Sequence, residues 1–156
     1  MRLTIAAVGR MRGGPEAAMV SDYAARTTAA GKGLGLGPLT VIEIDERKAR
    51  DREQQSERLI SSGGSGAVRL ALDERGAALS SPNFAKLLAG YRDAGRGEAL
   101  FLIGGADGHT DDLRRSADRL IGFGPMVWPH MLVRAMLAEQ IYRAVSILGG
   151  SPYHRE

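Results

Sequence analysis

Leu100-Phe101-Leu102-Ile103-Gly104-Gly105-Ala106-Asp107-Gly108 is the stretch on which the reading of the fold turns. Four consecutive apolar residues stopped by paired glycines form the signal of a buried strand that ends in a turn. The same grammar recurs along the chain. Leu3 to Val8 is an apolar run closed by Gly9, and Leu39 to Ile44 and Ala67 to Leu72 are further strands. Pro125 to Trp128 is expected as a short fifth. Between them lie helical segments. Pro15 to about Ala30 is Ala-rich with proline suited to the first turn. Glu46 to about Ser61 alternates charge signs and is expected as a solvated helix. Ser81-Pro82 opens a helix to about Ala94, with Ser81 as the cap. Thr110 caps one expected to run through about Leu120, with Asp111 and Asp112 favourably placed for its dipole. A last helix covers about Met131 to Leu148 and is apolar on more than one side. Strands alternating with helices predict an α/β fold with a mainly parallel sheet flanked by helices. In such sheets ligands sit outside the carboxyl ends of the strands. Attention therefore falls on Leu72-Asp73, on Gly104 to Gly108 and on Gly124 to Pro129.

Composition sets the outer bounds. A chain of 156 residues suggests one domain with a real core, spanning 1–156. Its 44% apolar and 25% charged residues are ordinary for a globular protein. No apolar run has the length of a membrane span, and the first residues do not have the pattern of a secretory signal. With no cysteine, disulfides and Cys-based metal sites are excluded, and a cytoplasmic location is the simplest expectation. The net charge of +3 permits a polyanionic partner without demanding one.

Several familiar chemistries are poorly supported. There is no GxGxxG fingerprint and no GxxxxGK[ST] phosphate loop, and the glycines at 31, 33, 35 and 37 precede a strand. Neither a Ser-His-Asp motif nor GxSxG is visible. His109, His130 and His154 share no metal-ligand spacing, so no metal is expected. Each reads most simply as an ordinary surface or hydrogen-bonded histidine, although His130 stands between an expected ligand loop and the last helix. Gly104-Gly105 reads equally as a tight turn or as a backbone that a ligand can approach closely. Arg2, Arg10, Arg12, Arg143 and Arg155 lie near strand ends or the tail. Scattered arginines are usually solvated, but convergent ones would grip phosphates.

The C-terminal segment, WPHMLVRAMLAEQIYRAVSILGGSPYHRE from Trp128 to Glu156, concentrates two of the three histidines with arginines and tyrosines. Its motifs, Pro129-His130-x-Leu132-Val133-Arg134, Ala138-Glu139-Gln140-Ile141-Tyr142-Arg143-Ala144 and Pro152-Tyr153-His154-Arg155, join Leu102-Ile103-Gly104-Gly105, the opening strand closed by Gly9, and Leu72-Asp73. Taken in order, they resemble the ribosomal large-subunit RNA methyltransferase H family of the SPOUT methyltransferases, over essentially the whole chain. Two positions depart from the family pattern: Met131 where proline is common, and Ser151 where histidine often precedes Pro-Tyr-His.

The resemblance implies a C-terminal trefoil knot, a homodimer and S-adenosylmethionine as methyl donor. It also implies methylation of N3 of a pseudouridine in helix 69 of the large-subunit rRNA, within the assembled ribosome. Carried over by motif, the cofactor site comprises Leu72, Gly105, Gly124, Pro125, Met126, Val127, Trp128 and Pro129. His154 is the leading candidate for the base, with Tyr153 shaping the pocket and Arg155 holding phosphate or a uracil oxygen. His130 and Arg143 are second choices. A non-catalytic RNA-binding or ribosome-associated module, and a related methyltransferase acting on tRNA, remain the alternatives.

Overall fold

The computed structural model describes residues 1–153; His154, Arg155 and Glu156 lie outside the described residues. Five strands, β1 (Arg2–Val8), β2 (Leu39–Ile44), β3 (Val68–Ala78), β4 (Glu98–Ile103) and β5 (Arg119–Gly122), form one sheet in the order β2-β1-β4-β3-β5. Every pairing is parallel. The helices are α1 (Pro15–Gly31), α2 (Arg52–Ser61), α3 (Ser81–Asp93), α4 (Asp111–Ser116) and α5 (His130–Leu148).

Side-chain alternation along the strands builds two cores. Leu3, Ile5, Phe101 and Ile103 face α1, α3 and α5, where they meet Val20, Phe84, Leu88 and Ile141. Ala6, Val8, Leu100 and Leu102 face the other way, onto Leu59 of α2 and Leu113 of α4. A sheet covered on both faces explains why β4 is buried along its whole length.

The structure corrects the expected elements at four places. The fifth strand is Arg119–Gly122, not Pro125 to Trp128; Pro125 and Pro129 have no N–H to offer a ladder. That strand takes the residues expected to end the helix capped by Thr110, which stops at Ser116. The helix expected from Glu46 begins only at Arg52. Asp45 accepts the Arg47 and Lys48 N–H groups and holds a turn, and Asp51 then caps the helix by accepting from Gln54 N at 2.7 Å. The cap of α3 is Ser80, with Pro82 still in the first turn.

β3 continues beyond Leu72 through a bulge to Ala78. Gly76 makes this possible, because a Cβ there would lie 2.4 Å from the Ile121 backbone. β3 and β5 consequently lie close together beside the loop that leads into α5.

Candidate functional site

The central strands all end on one edge. A cleft opens there between Leu72–Glu74, Gly104–Gly108 and the loop from Gly122 to Trp128, with His130 and Val133 of α5 as its wall. Three glycines line it for steric reasons. A Cβ on Gly104 would stand 3.0 Å from the Gly108 backbone, one on Gly122 would stand 2.9 Å from the Gly76 carbonyl, and one on Gly105 would stand 2.9 Å from Gln55 Oε1. Backbone therefore forms much of the surface, and its N–H and C=O groups are accessible to a ligand.

The cleft holds about 200 Å³, below the ~300–1,000 Å³ usual for ligand pockets. Its outer lip is unusual: Met126 and Val127 are 67% and 87% exposed. The buried indole N–H of Trp128, on the same wall, has no hydrogen-bond partner among the described residues. A buried donor left unmatched in this way suits a ligand acceptor.

Behind the cleft a polar brace fixes two of its walls. Arg114 Nε donates to Asp73 Oδ2 at 2.6 Å, and Arg114 Nη1 donates to Asp111 at 2.9 Å. Burial pulls the Asp73 carboxyl up, but Arg114 and the Arg75 N–H outweigh it and leave its pKa lowered. His109 is buried, with Nε2 3.1 Å from the Leu72 carbonyl. A carbonyl only accepts, so Nε2 carries the proton and Nδ1 is left without a hydrogen-bond partner among the described residues. Burial lowers the His109 pKa against the opposing pull of Asp73.

At the other side of the mouth, Arg134 is fully buried at the foot of α5. Its Nη2 donates to the Val8 carbonyl and its Nη1 lies 3.6 Å from Glu43. Burial lowers its pKa, with Glu43 and Glu46 pulling back. Gly9 (φ +90) sits at the junction, where a Cβ would lie 3.6 Å from both His130 Nε2 and Glu46.

Further along α5 a second polar group forms. Arg143 donates twice to Glu139 Oε1, at 2.9 and 2.6 Å, and Tyr153 donates to the same oxygen at 3.2 Å. The Tyr142 and Tyr153 rings meet edge-on at 4.7 Å. Burial, then Tyr23 and Glu139, push the Tyr153 phenol well above its ordinary pKa, so it remains a donor.

The family model described as "Predicted SPOUT methyltransferase" matches residues 1–154. The chain belongs to the SPOUT methyltransferase family. Among its SPOUT relatives, the ribosomal RNA large subunit methyltransferase H of Dinoroseobacter shibae is 53% identical over 155 residues, covering 99% of both chains. The protein of the same name from Paracoccus denitrificans is 54% identical over 156 residues, covering 100% of both. A solved SpoU methyltransferase, AviRb from Streptomyces viridochromogenes in complex with AdoMet, aligns at 12% identity with a TM-score of 0.41. That alignment covers 92% of this chain and 57% of that one.

Within this SPOUT chain the sequence-derived residues divide into two groups. Leu72, Gly105, Gly124, Met126, Val127 and Trp128 line the cleft, and His130 joins them. Pro125 and Pro129 belong to the same loop without lining it. Arg143 and Tyr153 are elsewhere: His130 and Arg143 are thirteen residues apart on one helix, about 20 Å at the usual rise. His154 and Arg155 lie outside the described residues. Sequence reading named Asp73, His109, Asp111 and Arg134 but not the contacts they make: it missed the brace that Arg114 forms with Asp73 and Asp111, the bond of His109 to Leu72, and the burial of Arg134. The position of His109, six residues after the end of a buried strand, was a signal that could have been used.

Proposed function

We propose that this chain transfers a methyl group from S-adenosylmethionine to N3 of a pseudouridine in helix 69 of large-subunit rRNA, on the assembled ribosome, as a cytoplasmic homodimer. One observation carries the reading. A backbone-lined cleft sits at the carboxyl edge of the sheet, in a chain about half identical, end to end, to ribosomal RNA large subunit methyltransferases H.

The cleft suits the cofactor. Gly104, Gly105, Gly122 and Gly124 leave room for close approach, Leu72, Met126 and Trp128 offer apolar cover, and the Trp128 N–H supplies an unmatched donor. When bound, S-adenosylmethionine supplies a methyl group already activated by its sulfonium. The residues of the chain then have to bind, exclude water and align the nucleophile. The exposed lip of Met126 and Val127 would fold inward over the ligand and enlarge the apolar contact.

The pseudouridine N3–H must lose its proton. A positioned base takes it, and cationic donors stabilise charge on the ring carbonyls. His154 holds the role of base in this reading, with Tyr153 and Arg155 beside it and His130 at the mouth. The Glu139–Arg143–Tyr153 group orients the tail where it leaves α5. Because this group lies about 20 Å along α5 from the cleft mouth, the tail of a second copy completes each site. That gives the homodimer a chemical use. Knotting of the C-terminal segment belongs to the same reading.

The test is incubation of the full chain with methyl-labelled S-adenosylmethionine and ribosomes from cells lacking this modification. Label at one pseudouridine of the large-subunit rRNA is the expected result. Cofactor binding without incorporation would move the substrate to tRNA or free rRNA. Absence of cofactor binding would leave a non-catalytic RNA-binding module.

A further inference from the structure

We infer that the loops following β1 and β2, residues 9–14 and 45–52, form a basic rim beside the cleft that grips the phosphate backbone of the RNA substrate. The inference rests on the RNA methyltransferase reading above and adds the docking surface to it.

Sequence alone scatters these residues. Arg10 and Arg12 looked like two isolated arginines, and the 46–52 segment looked like part of a solvated helix. The fold brings them together. β1 and β2 are parallel neighbours with Val8 opposite Ile44, so their following loops emerge side by side. The first loop is bonded to the end of β2: Gly9 N–H donates to the Ile44 carbonyl at 2.8 Å, and Met11 N–H donates to Glu43 at 2.8 Å. Arg10 reaches Asp45 at 3.2 Å.

The second loop is also held to its own helix. Ala49 is buried, its carbonyl accepts from Gln55, and the Arg50 N–H donates to Gln54. The result is a fixed ledge with its long cationic side chains turned outward. Arg10, Arg12, Arg47, Lys48, Arg50 and Arg52 are all exposed.

The unpaired cations are decisive. These fourteen residues carry six cations against three carboxylates, Asp45, Glu46 and Asp51, an excess of three. Two carboxylates border the same surface, Glu43 on the Met11 N–H and Glu53 at 3.7 Å from Arg52. Asp45 is enclosed by Arg10 and Arg47, and Asp51 caps α2. Arg12, Lys48 and Arg50 make no ion pair with any described residue.

Location matters as much as charge. Gly9, the first residue of the rim, directly adjoins His130 at the cleft mouth. RNA phosphates flanking a target base in the cleft would therefore lie over the rim. Such contacts position the substrate and carry no sequence information.

The experiment compares wild type, the triple variant Arg12→Gln/Lys48→Gln/Arg50→Gln and the control Arg96→Gln. Arg96 is exposed beyond the opposite, amino-terminal end of β4. Binding to assembled ribosomes lacking the modification is measured over a salt series, with S-adenosylmethionine affinity and thermal midpoint in parallel. The triple variant should bind RNA about 10- to 100-fold more weakly at low salt. Its slope of log affinity against log salt should be shallower by about two to three. The control should match wild type, and cofactor affinity and thermal midpoint should be unchanged in both. A wild type that binds the ribosomes while the triple variant retains the same affinity and slope would overturn the rim alone. A wild type that binds cofactor but no ribosomal RNA would overturn the substrate reading and the rim with it.

Discussion

The two ends of the sheet are built to opposite rules. At the amino-terminal end, Glu98 is buried and fully matched. It accepts from Thr4 at 2.7 Å, Gly64 N–H at 3.0 Å and Arg2 at 3.1 Å, and these partners outweigh burial and lower its pKa. At the carboxyl end, glycines replace side chains, and Trp128 Nε1, His109 Nδ1 and two nitrogens of Arg134 lack hydrogen-bond partners among the described residues. A closed polar network stabilises. A network left open, beside a cleft, is where a ligand can supply the missing bonds. The difference sets an edge with a fully matched buried carboxylate against an edge of glycines and unmatched donors, and makes the second edge the candidate site.

Substitutions at each end should separate the two roles. The largest effect is expected for Gly76→Ala, whose new methyl would collide with the Ile121 backbone at 2.4 Å. It should remove about 3 kcal/mol of stability in denaturant unfolding and weaken S-adenosylmethionine binding more than tenfold, because β3 and β5 carry two cleft walls. Glu98→Gln comes next. Unfolding should show a loss of about 2 kcal/mol, since charge-assisted bonds in a buried setting are weakened, while calorimetry finds cofactor affinity within twofold of wild type. A large drop in that affinity would erase the distinction between the ends.

His109→Leu should cost about 1 kcal/mol and weaken cofactor binding several-fold through the Leu72 wall, with His109→Gln recovering part of it. The same variant has a pH signature. Because burial depresses the folded pKa of His109, the unfolded chain takes up a proton near its ordinary value of about 6.5 while the folded chain does not. Wild-type stability should therefore fall as pH drops below about 6.5 toward the folded value, and His109→Leu should lose that contribution. Tyr153→Phe is expected to be the mildest for folding. It removes the bond to Glu139, and single-turnover methylation should slow several-fold with stability changed by less than about 0.5 kcal/mol.

Much of this was legible in the sequence, and the exceptions have physical causes. The buried strands Leu3–Val8 and Leu100–Ile103 announce themselves because parallel strands covered on both faces are continuously apolar. Motif order directed attention to the loop from Gly124 to Pro129, and the structure makes the part expected as a strand, Pro125 to Trp128, a lip at the cleft instead. The true β5, Arg-Leu-Ile-Gly, is short and begins with a charge, so its pairing with β3 depends on tertiary contacts that period alone does not encode. The turn at Asp45–Lys48 was hidden because its charge alternation mimics a helix face, while an Asx-type bond decides the local conformation. The separation of Arg143 and Tyr153 from the cleft is likewise a property of helix length in space, not of sequence proximity to His130.

The most direct test of the central claim is calorimetric titration of S-adenosylmethionine into wild type, Gly105→Val and Glu98→Gln. Wild type and Glu98→Gln should bind one cofactor per chain with matching affinity, and Gly105→Val, whose side chain would press on Gln55 and Val8 and displace the backbone that lines the cleft, should lose binding. Unaltered affinity in Gly105→Val, or no binding by wild type, would contradict the placement of the cofactor at the carboxyl edge.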